Sequence, residues 1–153
     1  MSYTTVLVGT DGSESAMKAV ARAADIAAAR NASLIVVCAY HPMSAREQAL
    51  ITPATGDATD RVTGTRAAQQ ALDLGVEHAR EAGAHQVEGR LVVGDAVEAL
   101  LSVAQERSGD LIVLGNRGIN TLSGRLLGSV PSDVVQRAPC DVLIVHTTSG
   151  RRR

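Results

Sequence analysis

The chain has no Phe and no Trp, and Tyr3 and Tyr40 are its only aromatic side chains. Proteins that grip single-stranded nucleic acid stack bases on such rings, so that class loses its main support, and the core must be built from Val, Leu, Ile and Ala. An excess of one charge is missing too: 15 Lys and Arg against 16 Asp and Glu leave a net charge of −1, which gives a polyanion no attractive field. No nucleic-acid partner is expected. Cysteine is scarce: Cys38 and Cys140 each lie in an apolar run, without CxxC spacing. Neither zinc nor a redox motif is indicated, and buried structural thiols are expected. No stretch reaches the roughly 18 apolar residues of a membrane span, and the first residues lack the basic and apolar regions of a secretion signal. The expectation is a cytoplasmic protein with no membrane partner. His41, His78, His85 and His146 are scattered over different elements with no second ligand at metal spacing, so no metal site is expected.

At 153 residues the chain is one domain by length, able to bury a real core and too short for two. Thr4 to Gly9 is a β-branched run, followed by turn chemistry at Thr10 to Ser13 and then Ala16, Met17, Val20, Ala24 and Ala27 at helical spacing up to Asn31. Ser33 to Ala39 is a second apolar strand. His41 to Gly64 has no sustained period and reads as a long excursion. Ala67 to Gly83 has helical spacing, and Gln86 to Val93 reads as a strand. Asp95 is a ready N-cap for a helix running to about Gly109, with Glu98 completing a capping-box-like pair. Leu111 to Leu114 and Asp141 to His146 are two further apolar strands. There is no internal repeat. Five strands alternating with four helical patterns imply an α/β domain: a mainly parallel sheet with helices on both faces. Such sheets take ligands outside the carboxyl ends of their strands, where the strand order reverses. Candidate loops for that crevice are Thr10 to Gly12, Ala39 to His41 and Gly115 to Ser129.

The third loop carries the sharpest signal. After Leu111 to Leu114 the glycines fall at fixed offsets: Gly115, two residues, Gly118, nine residues, Gly128, then Ser129 and a helix with Pro131 in its first turn. Gly115 and Gly118 could turn N–H groups toward an anion across the strand end. The amides at Gly128 and Ser129, backed by the positive end of the helix, make a second anion site. Two such sites suit a ligand with several phosphates, and Arg117 and Arg125 could supply counter-charge. An ordinary turn and an ordinary helix start would use the same residues.

The pattern GxxGx9GS, followed by a helix and then APCDVLIV, resembles the nucleotide-binding signature of the universal stress protein family. The opening VLVGTDGSESAMKAV is similar to that family's first strand, Asp loop and first helix, so the resemblance covers nearly the whole chain. Asp141 stands where the family often has proline. VTGT and GRLLGSVP further resemble an actinobacterial branch whose members bind cyclic AMP as well as, or rather than, ATP. The resemblance implies a single-domain, open five-stranded parallel sheet of order 3-2-1-4-5 with helices on both faces, Rossmann-like and of the adenine nucleotide alpha hydrolase-like type. It spans residues 1–147, leaving 148–153 as a basic tail expected to be disordered. It implies an adenine nucleotide as ligand, ATP or cyclic AMP, with Mg accompanying ATP.

On this resemblance the site draws on Gly9, Thr10 and Asp11 after the first strand. Ala39 and Tyr40 would meet the base through their backbone, and Gly94 would lie near the sugar. Gly115, Asn116, Arg117, Gly118, Arg125, Gly128, Ser129 and Val130 would hold the phosphates. Asp11 reads equally well as an N-cap or Asx turn and as an acceptor for a ribose hydroxyl or adenine amine. No GK[ST] follows any glycine loop and no GxSxG elbow is present, so phosphoryl or acyl transfer has no evident machinery. A regulatory, non-enzymatic nucleotide binder is therefore expected, with a slow ATP-hydrolysing or nucleotidyl-transferring enzyme as the alternative. A phosphorylated receiver domain is disfavoured, since no Asp ends the third strand and no Lys the fifth. With that strand order Val142 to Val145 lie at a sheet edge, so a homodimer through the last strand is expected, with no intramolecular disulfide.

Overall fold

The computed structural model describes residues 2–42, 64–116 and 127–147. Its elements, in chain order, are β1 (Thr5–Gly9), α1 (Glu14–Arg30), β2 (Ser33–Tyr40), α2 (Thr65–Glu81), β3 (Gln86–Val93), α3 (Ala96–Glu106), β4 (Leu111–Gly115), α4 (Ser129–Arg137) and β5 (Asp141–Val145). The five strands form one sheet in the order β3-β2-β1-β4-β5, every pair parallel. This is the architecture anticipated above, with element ends shifted by up to three residues. The 43–63 part of the excursion and the 148–153 tail lie outside the described residues.

The sheet is apolar on both faces because alternate residues of each strand feed different cores. Val6 and Val8, Leu34 and Val36, Leu111 and Val113 pack with Ala19, Val20, Ala23, Ala24 and Ala27 of α1 and with Ala68, Ala71 and Leu72 of α2. Leu7, Ile35, Val37, Ile112 and Leu114 pack on the other face with Ala99, Leu100 and Val103 of α3 and Val134 of α4. Buried on both sides, these strands lack a polar alternation and read as continuous hydrophobic runs. The alanine stripe of α1 lets the helix approach the sheet closely.

Local chemistry sets both ends of α1. Ser13 caps α1, its side chain accepting the Ala16 N–H. Asn31 closes the same helix in the left-handed conformation at φ 53°, and the Ala32 N–H returns to the Ala27 carbonyl at 2.8 Å. The capping box proposed at α3 does not form: Asp95 makes no side-chain cap bond and instead meets His41 Nε2 at 3.1 Å. A partner 54 positions away takes the carboxylate that local spacing assigns to the helix. At the amino ends of the strands, Asp110 accepts from Thr4 N, Thr4 Oγ1 and Thr5 N at 2.8, 2.9 and 3.2 Å, tying β4 to β1. Asp141, in place of the proline common in the resembled family, accepts the Tyr3 hydroxyl at 2.8 Å. That bond holds the phenol's pKa above its ordinary value.

Candidate functional site

Placing β1 between β2 and β4 makes the strand order reverse between β1 and β4, and the candidate residues collect at that rim because each follows the carboxyl end of a strand. Gly9, Thr10 and Asp11 leave β1. Ala39 and Tyr40 end β2 next to them, and Gly94 follows β3. Gly115 and Asn116 leave β4, and Gly128, Ser129 and Val130 open α4. Arg117, Gly118 and Arg125 lie outside the described residues.

Backbone bonds extend the sheet by one residue past β1, β3 and β4, which squares off the rim. Thr10 N–H donates to the Val37 carbonyl at 2.9 Å, Gly94 N–H to Tyr40 at 2.9 Å and Asn116 N–H to Val145 at 2.9 Å. The chain can then turn. At Gly94 it does so with φ 127°, a conformation that side chains resist, and a Cβ there would meet nothing within 4 Å. Backbone geometry alone accounts for this glycine.

Asp11 resolves to an Asx turn: its Oδ1 accepts the N–H of the helix cap Ser13 at 2.9 Å. Its second carboxylate oxygen makes no hydrogen bond among the described residues, so the local turn leaves an acceptor at the crevice. The charge is felt beneath the rim. Burial pushes the Cys38 thiol up to about 11, and the Asp11 carboxylate adds to that rise.

The glycine loop is pinned at both described ends by one residue. Asn116 takes the Gly128 N–H on its carbonyl at 3.1 Å. The Gly128 amide is therefore engaged within the protein, and the donors at the start of α4 are those of Ser129 and Val130, which precede its first intrahelical bond, Ser132 N–H to the Gly128 carbonyl at 3.0 Å. Pro131 contributes no N–H and pre-sets the helical φ. Ser129 is exposed and Val130 half-buried, so two amides and a hydroxyl sit at the positive end of the helix, an arrangement suited to a phosphate.

Gly115 needs a different explanation from the one its spacing suggests. A Cβ there would come within 3.1 Å of the Thr147 methyl and 3.3 Å of Ser15 Oγ, so the protein's own side chains already cover that point. Those two residues belong to a polar cluster that local patterns do not flag. Thr147 N–H and its hydroxyl donate to Asn116 Oδ1, Ser15 Oγ lies 2.5 Å from Thr147 Oγ1, and Lys18 Nζ donates to the Thr147 carbonyl. Parallel pairing of β4 with β5 creates the cluster by bringing the residues after both strands level. Only the strand order carries that signal.

No group of three or more metal-ligating side chains is present among the described residues. A groove lined by Glu98, Leu101, Ser102, Arg137 and Pro139 runs along α3 and reaches Gly109 at the amino end of β4. Cys38 is buried as expected, whereas Cys140, just before an edge strand, is only half-buried, and both are free.

The universal stress protein family model matches residues 2–146. A universal stress protein of Mycobacterium tuberculosis is 50% identical over 147 residues, covering 96% of this chain and 99% of its own. A second relative, from Thermus aquaticus, is 34% identical over 145 residues, covering 94% of this chain and 99% of its own. A universal stress protein solved in complex with cAMP is 45% identical and superposes with a TM-score of 0.73, over 97% of this chain and 100% of that one.

Proposed function

This chain belongs to the universal stress protein family, and from that premise we propose that it binds an adenine nucleotide at the β1/β4 rim and acts as a regulatory sensor or nucleotide-sequestering protein. The observation that carries the reading is the pair of main-chain donors at Ser129 and Val130, set at the positive end of α4 on the same rim of the sheet as the open carboxylate oxygen of Asp11. Likeness to a relative solved with cAMP supports the same choice. In this reading the α4 amides and the Ser129 hydroxyl take a phosphate, and Asp11 accepts from a ribose hydroxyl or the adenine amine. Ala39 and Tyr40 meet the base through their backbone, and Gly94 borders the sugar. Gly115, Asn116 and Gly128 shape the loop, with Gly9 and Thr10 forming the floor. Arg117, Gly118 and Arg125 complete the phosphate contacts.

Cyclic AMP fits the single helix-end anion site, while ATP would use the remainder of the glycine loop together with Mg. Turnover is not part of the role, because no lysine follows a glycine loop to take a transferring phosphoryl group. The protein works in the cytoplasm as a homodimer paired through β5. β3, at the opposite edge, carries Glu88 and Arg90 in ion pairs with Arg107 and Glu106, whereas β5 presents Val142, Leu143 and Ile144. Residues 1–147 form the family domain, with 148–153 as a tail. No helix among the described residues is long and apolar enough to cross a membrane.

Isothermal titration with ATP, ADP, cyclic AMP and GTP, with and without Mg, tests the reading. Binding of an adenine nucleotide, at least about tenfold weaker in Ser129→Ala, is expected. Equal affinity for GTP, or no binding by any of the four, would overturn it. Single-turnover ATP hydrolysis abolished by Ser129→Ala would move the protein to the enzyme class.

A further inference from the structure

Thr147 contacts nothing in the proposed ligand, yet it is only 5% exposed, one of two buried polar residues among those described. Its backbone N–H and its hydroxyl donate to Asn116 Oδ1 at 2.9 and 3.0 Å. Two donors on one atom fix the orientation of that amide, since only its oxygen accepts. With its single proton given to Asn116, the Thr147 hydroxyl must accept from Ser15, 2.5 Å away. Its carbonyl receives Lys18 Nζ at 3.0 Å, and its methyl covers Gly115.

The cluster therefore joins two loops that sequence separates widely. Ser15 stands in the first turn of α1, two residues past the cap that the Asp11 turn organises. Asn116 opens the glycine loop and holds its far end through the Gly128 N–H. We propose that Thr147 is a positioning residue for the nucleotide site, its hydroxyl fixing the Asp11 side of the crevice relative to the glycine loop and the start of α4. This rests on the nucleotide reading above and adds to it a residue outside the binding motif.

Thr147→Val replaces the hydroxyl by a methyl of similar size. It keeps the packing on Gly115 and the backbone bond to Asn116, and removes only the two hydroxyl links. With those gone the loops occupy additional arrangements, and apparent affinity falls with the competent fraction. Losing two modest hydrogen bonds predicts a roughly tenfold weaker Kd.

Wild type, Thr147→Val, Thr147→Ser and Ser15→Ala are titrated with cyclic AMP and with ATP plus Mg at room temperature, with thermal midpoints recorded alongside. Thr147→Val should weaken whichever nucleotide the wild type binds by about tenfold, Ser15→Ala by about threefold, and Thr147→Ser should stay within about twofold of wild type. A hydroxyl that served stability alone would lower the midpoint and leave Kd of the folded protein unchanged. Wild-type affinity in both Thr147→Val and Ser15→Ala would overturn the proposal, as would a loss in Thr147→Ser equal to that in Thr147→Val. If Thr147→Val does not fold, Ser15→Ala decides from the other side of the same link. A wild type that binds neither nucleotide overturns the nucleotide reading itself, an outcome distinct from a wild type that binds and variants that bind equally well.

Discussion

Replacing Gly115 by alanine separates two reasons for a glycine at the mouth of the site. If the position is glycine because the protein packs against it, the new Cβ meets the Thr147 methyl at 3.1 Å and Ser15 Oγ at 3.3 Å, both inside comfortable contact. Neither neighbour can move away freely: Thr147 is held by Asn116, Ser15 and Lys18, and Ser15 by its place in the first turn of α1. Over-packing of this kind costs about 1–3 kcal/mol, while alanine recovers about 0.4–1 kcal/mol by restricting the unfolded chain. The net expectation is a loss of about 1 kcal/mol, or roughly 3 °C in Tm for a chain of this size. Urea unfolding with an unchanged m-value measures it. Thr147→Ser removes the methyl that makes the closer contact, so in that background Gly115→Ala should cost less by about 0.5 kcal/mol or more. A neutral or stabilising Gly115→Ala, or an identical cost in both backgrounds, would refute the packing explanation.

Asp110→Ala removes three hydrogen bonds at the amino ends of β1 and β4 and should lower stability by about 2 kcal/mol in urea unfolding, with nucleotide affinity unchanged because the rim lies at the other end of the sheet. Cys38, raised to about 11 chiefly by burial, contributes stability that is complete below the ordinary thiol pKa near 9 and is lost as pH rises from there through about 11, because the unfolded chain ionises first. Unfolding midpoints between pH 8 and 11 should fall accordingly, less so in Cys38→Ala, and a thiol reagent at pH 8 should label half-buried Cys140 well before Cys38. Val142→Lys places a charge on the apolar β5 edge, and sedimentation at micromolar concentration should show a dimer in the wild type and a monomer in the variant.

The sheet was legible because strands buried on both faces write themselves as unbroken apolar runs, and the connecting helices as alanine and leucine stripes. Strand order came from the resemblance, and most of what sequence alone misplaced depends on that order. Asp95 looks like a helix cap from its neighbours, but His41, brought alongside by the β2/β3 pairing, takes its carboxylate. Gly115 looks like a gap left for a ligand, but Thr147 and Ser15 fill the space beside it. Gly128 looks like a free amide until Asn116 is seen to hold it. Thr147 follows the last strand in no recognisable motif, and only the parallel β4/β5 register makes it a neighbour of Asn116. Asp11 was ambiguous by nature, since an Asx turn and a ligand acceptor use the same carboxylate, and here the turn uses one oxygen of the two.

The central claim is that main-chain donors at the start of α4 receive the ligand's phosphate. Amide chemical shifts of the 15N-labelled protein, followed as cyclic AMP is added, test it most directly. The account predicts the largest movements at Ser129 and Val130, with smaller ones at Asp11 and Asn116. Unmoved amides at Ser129 and Val130, with the changes gathered instead around Gln105, Gly109 and Pro139 at the opposite end of the sheet, would contradict it.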